Sequence, residues 1–278
     1  MSARRKAGLV AAGAVGGRLA LAAATAVAGR PAGARWQRSN YAGRPVSLLG
    51  GPALGLSVTA AAVLGAAPGV RAAAAVAGSV SAAVGAYDDL AGARPAQARD
   101  KGLAGHLGAL RAGRISSGAV KVAGIGTAAA VAALLTRRGH GVPALADGVL
   151  TTGLVAGTAN LVNLLDLRPG RAAKAALLTA TALLGGTSGA LVAGPLGATA
   201  AVLPADLGEQ VMLGDCGANA LGALLGLRLA QLGPRPARAA LLAGIVGLTL
   251  ASEKISFTQV IDSTPGLREL DRLGRRTS

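Results

Sequence analysis

Apolar runs of about 14 to 23 residues recur along most of the chain, and they constrain its fold more than any other feature. After a first run within residues 1–30, they lie at about 46–67, 70–87, 118–135, 143–165, 172–185, 188–203, 211–230 and 237–252. With 52% hydrophobic and 14% charged residues, the chain has too little polar material to cover a soluble globule of 278 residues. The sequence therefore predicts an all-α polytopic membrane helix bundle of about nine (8–10) transmembrane helices, forming a single integral membrane domain over residues 1–278.

The first apolar run is preceded by Arg4, Arg5 and Lys6, as in a signal peptide. Arg18 interrupts any short signal core, and further hydrophobic segments follow. We therefore interpret residues 1–30 as the first membrane helix, with a signal peptide as the alternative.

The net charge of +16 could indicate a nucleic-acid-binding protein. However, the basic residues lie in short stretches between apolar runs, and aromatic residues that would stack on bases make up only 1% of the chain. This pattern is typical of a membrane protein and argues against nucleic acid as a partner.

The connections between nine helices alternate between the two sides of a membrane, and the basic residues indicate which side is which. One set of connections holds most of the Arg and Lys residues, and it comprises residues 30–44, 88–121, 166–174, 204–211 and 253–278. The positive-inside rule places this set in the cytoplasm, so we expect a cytoplasmic loop at 88–117 and a cytoplasmic polar tail at 253–278. All the acidic residues except Asp147 lie on or beside the same face. We infer one site on the cytoplasmic face of the cell membrane.

An acidic pair, Asp88 and Asp89, directly follows the apolar run that ends near Ala86. Adjacent carboxylates at a helix end can hold a divalent cation and orient an oxygen nucleophile, although solvated loop charge is the simpler interpretation. Cations that could hold phosphates follow in the sequence, and they are Lys101, His106, Arg111, Arg114 and Lys121. The positive-inside pattern explains most of these equally well.

Asn160, Asn163 and Asp166 are spaced three residues apart, which places them on one helical face near the end of the 143–165 run. Amides inside an apolar helix need partners. One interpretation is hydrogen bonding between helices, and the other is a polar face that binds a nucleotide or positions a metal ligand.

Gly214 and Gly217 bracket Asp215 just before another predicted helix. Glycine allows a ligand to approach the backbone closely, and the unpaired amides at a helix start favour anions.

In this order, the three clusters resemble motifs of the polyprenyl-phosphate N-acetylhexosamine-1-phosphate transferase superfamily, also called glycosyltransferase family 4. This superfamily includes phospho-N-acetylmuramoyl-pentapeptide transferase and the undecaprenyl-phosphate N-acetylglucosamine-1-phosphate transferases. The matching residues are Asp88, Asp89, Lys121, Asn160, Asn163, Asp166, Gly214, Asp215, Gly217, Leu221 and Gly222, with a fainter match at Asn40, Arg44, Gly50 and Gly51.

The resemblance implies transfer of a sugar-1-phosphate from a UDP-sugar to a polyprenyl phosphate, with Mg²⁺ (or Mn²⁺) as cofactor and release of UMP, in cell-envelope glycan synthesis. It implies that Asp88, Asp89 and Lys121 are catalytic and that Asp89 and Asp166 hold the metal. It also implies that Asn160, Asn163, Gly214, Asp215 and Lys101 bind substrate. A homodimer is a further expectation.

The chain departs from the family pattern at several positions. Pro169 stands where the family has a second aspartate, Ala218 replaces a serine, and the family's His-rich loop near the end is absent. These differences leave a second interpretation open, a catalytically inactive relative that binds polyprenyl phosphate or a partner as a regulator or scaffold. A transporter is a third, although neither repeat symmetry nor a broken-helix pair is evident.

Overall fold

The computed structural model describes residues 2–91 and 116–276, and these are mostly helical. The longer helices are α1 (Ala3–Ala28), α2 (Gly50–Gly65), α3 (Pro68–Ala91), α4 (Ser117–Leu135), α5 (Gly141–Leu165), α6 (Arg171–Ala182), α7 (Ala190–Leu207), α8 (Gly214–Leu229) and α9 (Arg235–Ser252). Two short helices, α10 (Phe257–Ser263) and α11 (Leu267–Arg272), follow. The predicted all-α class is confirmed.

Among these helices, five are long and apolar enough to cross a membrane, namely α1, α3, α4, α5 and α7. A sixth is possible if α9 and α10, which meet at a bend of 97°, form one span. With 16, 12 and 16 residues, α2, α6 and α8 reach only about 24, 18 and 24 Å at 1.5 Å per residue, less than the roughly 30 Å hydrocarbon core. The membrane class is thus supported, whereas the count of about nine spans stays a prediction.

Helix α8 lies at the centre of the bundle, and 14 of its 16 residues are buried. Small residues let its neighbours approach closely: a Cβ atom at Gly222 would lie 2.6 Å from the carbonyl oxygen of Thr158 on α5. Close backbone approach through Gly and Ala is typical of helix packing in membranes. The excess of small residues therefore builds the core around α8.

The predicted basic linker 30–44 contains structure that the sequence did not indicate. A 3₁₀ helix (Pro31–Trp36) leads into an antiparallel hairpin of β1 (Gln37–Ser39) and β2 (Pro45–Ser47). The Ser47 N–H donates to the carbonyl of Gln210 at 3.2 Å, and the Met212 N–H donates to the carbonyl of Ser47 at 3.0 Å. The hairpin therefore ties the α1–α2 connection to the α7–α8 connection.

Two ends of the bundle can be distinguished by their contacts. At the acidic end, defined by Asp88, Asp89, Asp166, Asp206 and Asp215, the connections predicted to share one side of the membrane lie together. At the opposite end, Lys6 donates to the carbonyls of Leu184 and Gly186, both at 2.7 Å, and Asp147 pairs with Arg235 and Arg238. Which side of a membrane the acidic end faces stays a prediction.

The boundaries of the two predicted polar segments differ from the observed ones. Helix α3 continues to Ala91, so Asp88 and Asp89 lie in its last turn rather than in a loop. Residues 92–115 of the predicted loop 88–117 lie outside the described residues.

The predicted polar tail contains α10 and α11. Asp271 in this tail is only 5% exposed and pairs with Arg171 at 2.8 and 3.0 Å. The tail therefore packs against α6 at the acidic end.

Candidate functional site

Asp89 caps the N-terminus of α8. Its Oδ1 accepts the backbone N–H of Asp215 and its Oδ2 accepts that of Cys216, both at 3.0 Å. A helix start leaves such amides unpaired and carries a partial positive charge, so a carboxylate is favourable there. The observed contacts of Asp89 are thus those of a helix cap, and its predicted roles in catalysis and metal binding stay predictions.

Gly214 is required by the geometry of this cap. Its φ of +57° lies in the left-handed region, and a Cβ atom at this position would lie 2.8 Å from Oδ2 of Asp89. The sequence predicted close approach of a ligand to Gly214. In the structure, the group that approaches is the carboxylate of Asp89.

Lys121, near the start of α4, lies between two carboxylates. Its Nζ contacts Oδ2 of Asp215 and lies 3.1 Å from Oδ2 of Asp88. All three side chains are largely buried, with 20%, 22% and 16% of Lys121, Asp215 and Asp88 exposed. A single ammonium therefore offsets two negative charges in a site that excludes most water.

Asp166 follows α5 and lies among carboxylates rather than cations. Burial, and then the neighbouring Asp206, raise the pKa of Asp166 well above its ordinary value; the backbone amide of Gly214 acts in the opposite direction. Asp206 is 2% exposed and accepts the N–H of Gly170 at 3.0 Å. The sequence motifs assigned no role to Asp206, and its position just after an apolar run was the available signal.

Within the described residues, no hydrogen bond joins the side chains of the two asparagines of the 160–166 cluster to Asp88, Asp89, Lys121 or Asp215. Asn160 donates to the hydroxyl of Thr249 on α9 at 3.5 Å, which matches the interpretation of hydrogen bonding between helices. Asn163 is half-buried on α5, and its backbone carbonyl accepts the N–H of Asp166 at 3.0 Å. The predicted substrate-binding roles of both asparagines stay predictions, whereas the charge of Asp166 interacts with those of Asp89 and Asp215.

A second ion pair fixes the hairpin at the edge of the acidic end. The guanidinium of Arg44 donates two hydrogen bonds to the carboxylate of Glu209, one of them at 2.7 Å from Nε. The side-chain amide of Asn40 donates to the same carboxylate. The hydrogen bonds from Arg44 lower the pKa of Glu209. Asn40 and Arg44 carried the fainter family resemblance, and the structure places them in an ion-paired connection between the hairpin and the α7–α8 loop.

The acidic end has a small cavity beside Asp166 and Asp206. Its volume of about 20 Å³ has room for roughly one water molecule. Tyr41 and Arg168 also line it, and the Arg168 guanidinium stacks 4.2 Å from the centre of the Tyr41 ring. Lys101, His106, Arg111 and Arg114, which the sequence suggested as phosphate-binding cations, lie outside the described residues.

A metal ion at this end would have to be held mainly by carboxylates. Within residues 2–91 and 116–276, no group of three or more His, Cys, Asp or Glu side chains is arranged to hold a metal ion. Mg²⁺, however, is commonly held by one or two carboxylates together with substrate phosphates. Asp166 and Asp206 fit that role because they are neighbouring carboxylates, and among the described residues no lysine or arginine forms an ion pair with either of them, although the charges of Arg275 and Lys174 act on Asp206.

The fold and the site together define a class, a membrane-type helical bundle in which Lys121 and several carboxylates gather at one end. No protein-family model matches the chain, and no curated protein matches it significantly. The family resemblance therefore stays a prediction that depends on the motif residues.

Proposed function

We propose that this chain is a membrane phosphosugar transferase that moves a sugar-1-phosphate from a UDP-sugar to a polyprenyl phosphate and releases UMP. One observation carries the proposal: three motifs far apart in sequence meet at the start of α8. Asp89 caps Asp215 and Cys216, Lys121 joins Asp88 to Asp215, and Asp166 lies close to both Asp89 and Asp215. The active face is the acidic end, on the cytoplasmic side of the cell membrane.

Lys121 is the cation of the site that would contact phosphate. The reaction brings two polyanionic substrates together, so positive charge must offset the charge that develops on the transferred group during in-line attack. The ammonium of Lys121 is held by Asp88 and Asp215, and on substrate binding it exchanges one carboxylate for a phosphate oxygen. Asp88 orients the attacking lipid phosphate. Asp89 is a positioning residue that acts through the α8 terminus.

Asp166 and Asp206 are the residues that would hold Mg²⁺ (or Mn²⁺) in this scheme. When bound, the cation supplies further charge neutralisation on the substrate phosphates. A cation beside Asp166 would also favour its ionised form.

The alternative, an inactive relative that binds polyprenyl phosphate or a partner protein, is favoured by a different observation. Lys121 is already ion-paired with Asp88 and Asp215, and Pro169, which cannot coordinate through its side chain, occupies the family's second aspartate position. A binding protein would need the ion-paired cluster of Asp88, Lys121 and Asp215 for its structure, but it would not need a complete metal site.

The decisive experiment incubates the purified protein with polyprenyl phosphate, Mg²⁺ and a panel of UDP-sugars, and measures UMP release. We expect release with at least one UDP-sugar, loss of release with EDTA, and a decrease of about 100-fold or more in Asp88→Asn. The matched control is Asp262→Asn, which removes an exposed carboxylate from the tail and should leave the rate unchanged.

Two other outcomes separate the alternatives. Saturable binding of polyprenyl phosphate without UMP release from any UDP-sugar would select the inactive relative. Absence of both binding and release would overturn both readings, and full activity of Asp88→Asn would remove Asp88 from the mechanism.

A further inference from the structure

A large cavity lies at the opposite end of the bundle from the acidic end. Its volume is about 690 Å³, against about 20 Å³ for the cavity beside Asp166. Sites for small molecules commonly measure about 300–1,000 Å³. Its walls come from the start of α3, the end of α4, the start of α5, the α6–α7 connection, the end of α8 and the start of α9.

The charged residues that line this cavity are Arg137, Arg138, Arg238 and Asp147. Asp147 is already neutralised, because Arg235 and Arg238 pair with its Oδ1 at 2.8 and 2.7 Å. Within the described ranges, Arg137 and Arg138 make no ion pair. The lining is therefore electropositive.

Arg238 also lines this cavity, and its side chain is 14% exposed. Its Nη2 pairs with Asp147 at 2.7 Å, and its Nη1 donates to the carbonyl of Ala230 at 3.3 Å. Its Nε is buried and does not open onto the cavity. The guanidinium groups that the cavity presents to a ligand are therefore mainly those of Arg137 and Arg138.

A further cavity of about 540 Å³ adjoins the first, since both are lined by Ala67 and Thr187. It adds Arg5 and Arg71 to the basic lining. The first cavity also has apolar walls, which include Val70, Leu135 and Leu227. This combination of guanidinium groups and apolar surface suits a ligand with an anionic head and an apolar part.

We propose that the cavity lined by Arg137, Arg138 and Arg238 binds a phosphate group at the end of the bundle opposite the acidic site. Guanidinium groups bind phosphate through paired, charge-assisted hydrogen bonds. The phosphate belongs either to the headgroup of an anionic lipid or to free phosphate. This site is separate from the proposed transferase site, and its test does not involve UMP release.

The test uses the full chain in detergent. Binding of phosphatidylglycerol and phosphatidylcholine is measured by native mass spectrometry, and binding of radiolabelled inorganic phosphate by equilibrium dialysis. We expect selective binding of phosphatidylglycerol or of phosphate, weakened by about tenfold or more in the double variant Arg137→Gln/Arg138→Gln. Both arginines are exposed, so this variant should fold normally.

Arg235→Gln is the matched control. Arg235 also pairs with Asp147, through hydrogen bonds of 2.8 and 2.9 Å, but it does not line the cavity. Because Asp147 keeps its 2.7 Å ion pair with Arg238, replacement of Arg235 should weaken binding much less than the double variant does. Phosphatidylglycerol binding that inorganic phosphate does not displace would assign the site to a lipid headgroup, whereas binding of inorganic phosphate itself would assign it to free phosphate. The proposal would be overturned if the two lipids bound equally and inorganic phosphate did not bind. It would also be overturned if Arg235→Gln and the double variant lost binding to the same extent.

Discussion

The carboxylate of Asp89 accepts a hydrogen bond from the backbone N–H of Asp215 at 3.0 Å, and so joins the end of α3 to the start of α8, 126 residues later in the chain. The neighbouring Cys216 N–H donates to the other carboxylate oxygen. Asp89, an acidic residue of the first motif, therefore acts as the N-terminal cap of α8. The stability of α8 depends on this side chain from α3.

Asp89→Ala should destabilise the protein by about 2 kcal/mol, because two backbone amides at the start of α8 lose a charged acceptor. Asp89→Asn, which keeps one acceptor oxygen, should have a smaller effect. The measurement is the free energy of unfolding in mixed detergent micelles. Asp262→Asn is the control, and equal stabilities of Asp89→Ala and the parent protein would contradict the capping role.

Gly214→Ala should cost about 1–3 kcal/mol, because alanine is strained at a φ of +57° and its Cβ would lie 2.8 Å from Oδ2 of Asp89. Gly126→Ala is a matched control within helix α4, since a Cβ there meets nothing within 4 Å. That control should be neutral or slightly stabilising. Similar thermal midpoints for both variants would show that the backbone at Gly214 relaxes without cost.

Lys121→Met should be strongly destabilising, by about 3 kcal/mol, because it leaves the largely buried carboxylates of Asp88 and Asp215 without their cation. Adding Asp215→Asn should recover part of the loss, since one uncompensated charge is then removed. A double-mutant cycle measures the coupling between the two residues. Strictly additive losses would mean that the ion pair contributes nothing to folding.

Asp271→Asn should release the C-terminal tail. The Asp271 carboxylate is held by Arg171 at 2.8 and 3.0 Å, and removal of one partner from a buried ion pair costs about 3 kcal/mol. Limited trypsin digestion should then cleave the tail at least about tenfold faster than in the parent protein, at sites that include Arg272, Arg275 and Arg276. Asp262→Asn lies in the same tail and should not change the cleavage rate.

The same ion pair predicts how tail docking depends on pH. Burial of the Asp271 carboxyl acts to raise its pKa, but the hydrogen bond from Arg171 and the charges of Arg171, Arg275 and Lys174 outweigh burial, so the pKa lies below its ordinary value. A lowered pKa means that the stabilisation is fully present above the ordinary value of about 4 and is lost as the pH falls through the lower folded-state value. Tail protection should therefore be constant between about pH 5 and 8 and should decrease only below about pH 4. Protection can be followed by an acid-active protease, and loss of protection at neutral pH would contradict this assignment.

Parts of the candidate site were accessible to sequence reasoning. Asp88, Asp215 and Lys121 were each predicted as site residues, and the structure brings them within ion-pair contact. Other parts were left open. For Asn160 the sequence allowed either a hydrogen bond between helices or a ligand-binding face, because helical periodicity specifies a face but not the helix that packs against it. The structure shows a hydrogen bond from Asn160 to Thr249 on α9.

The sequence by itself determined that the chain is a helical, membrane-type bundle, and it predicted that acidic residues far apart in the chain gather towards one end, as Asp88, Asp89, Asp166, Asp206 and Asp215 do. Long apolar runs must become helices in lipid, and successive helices return the connecting segments alternately to the two ends. Only the tertiary structure decided that Asp89 caps α8, that Asp271 is buried against Arg171, and that a large basic cavity lies at the opposite end. These features depend on contacts between segments far apart in the chain, and neither the composition nor the periodicity of a single segment specifies such a contact.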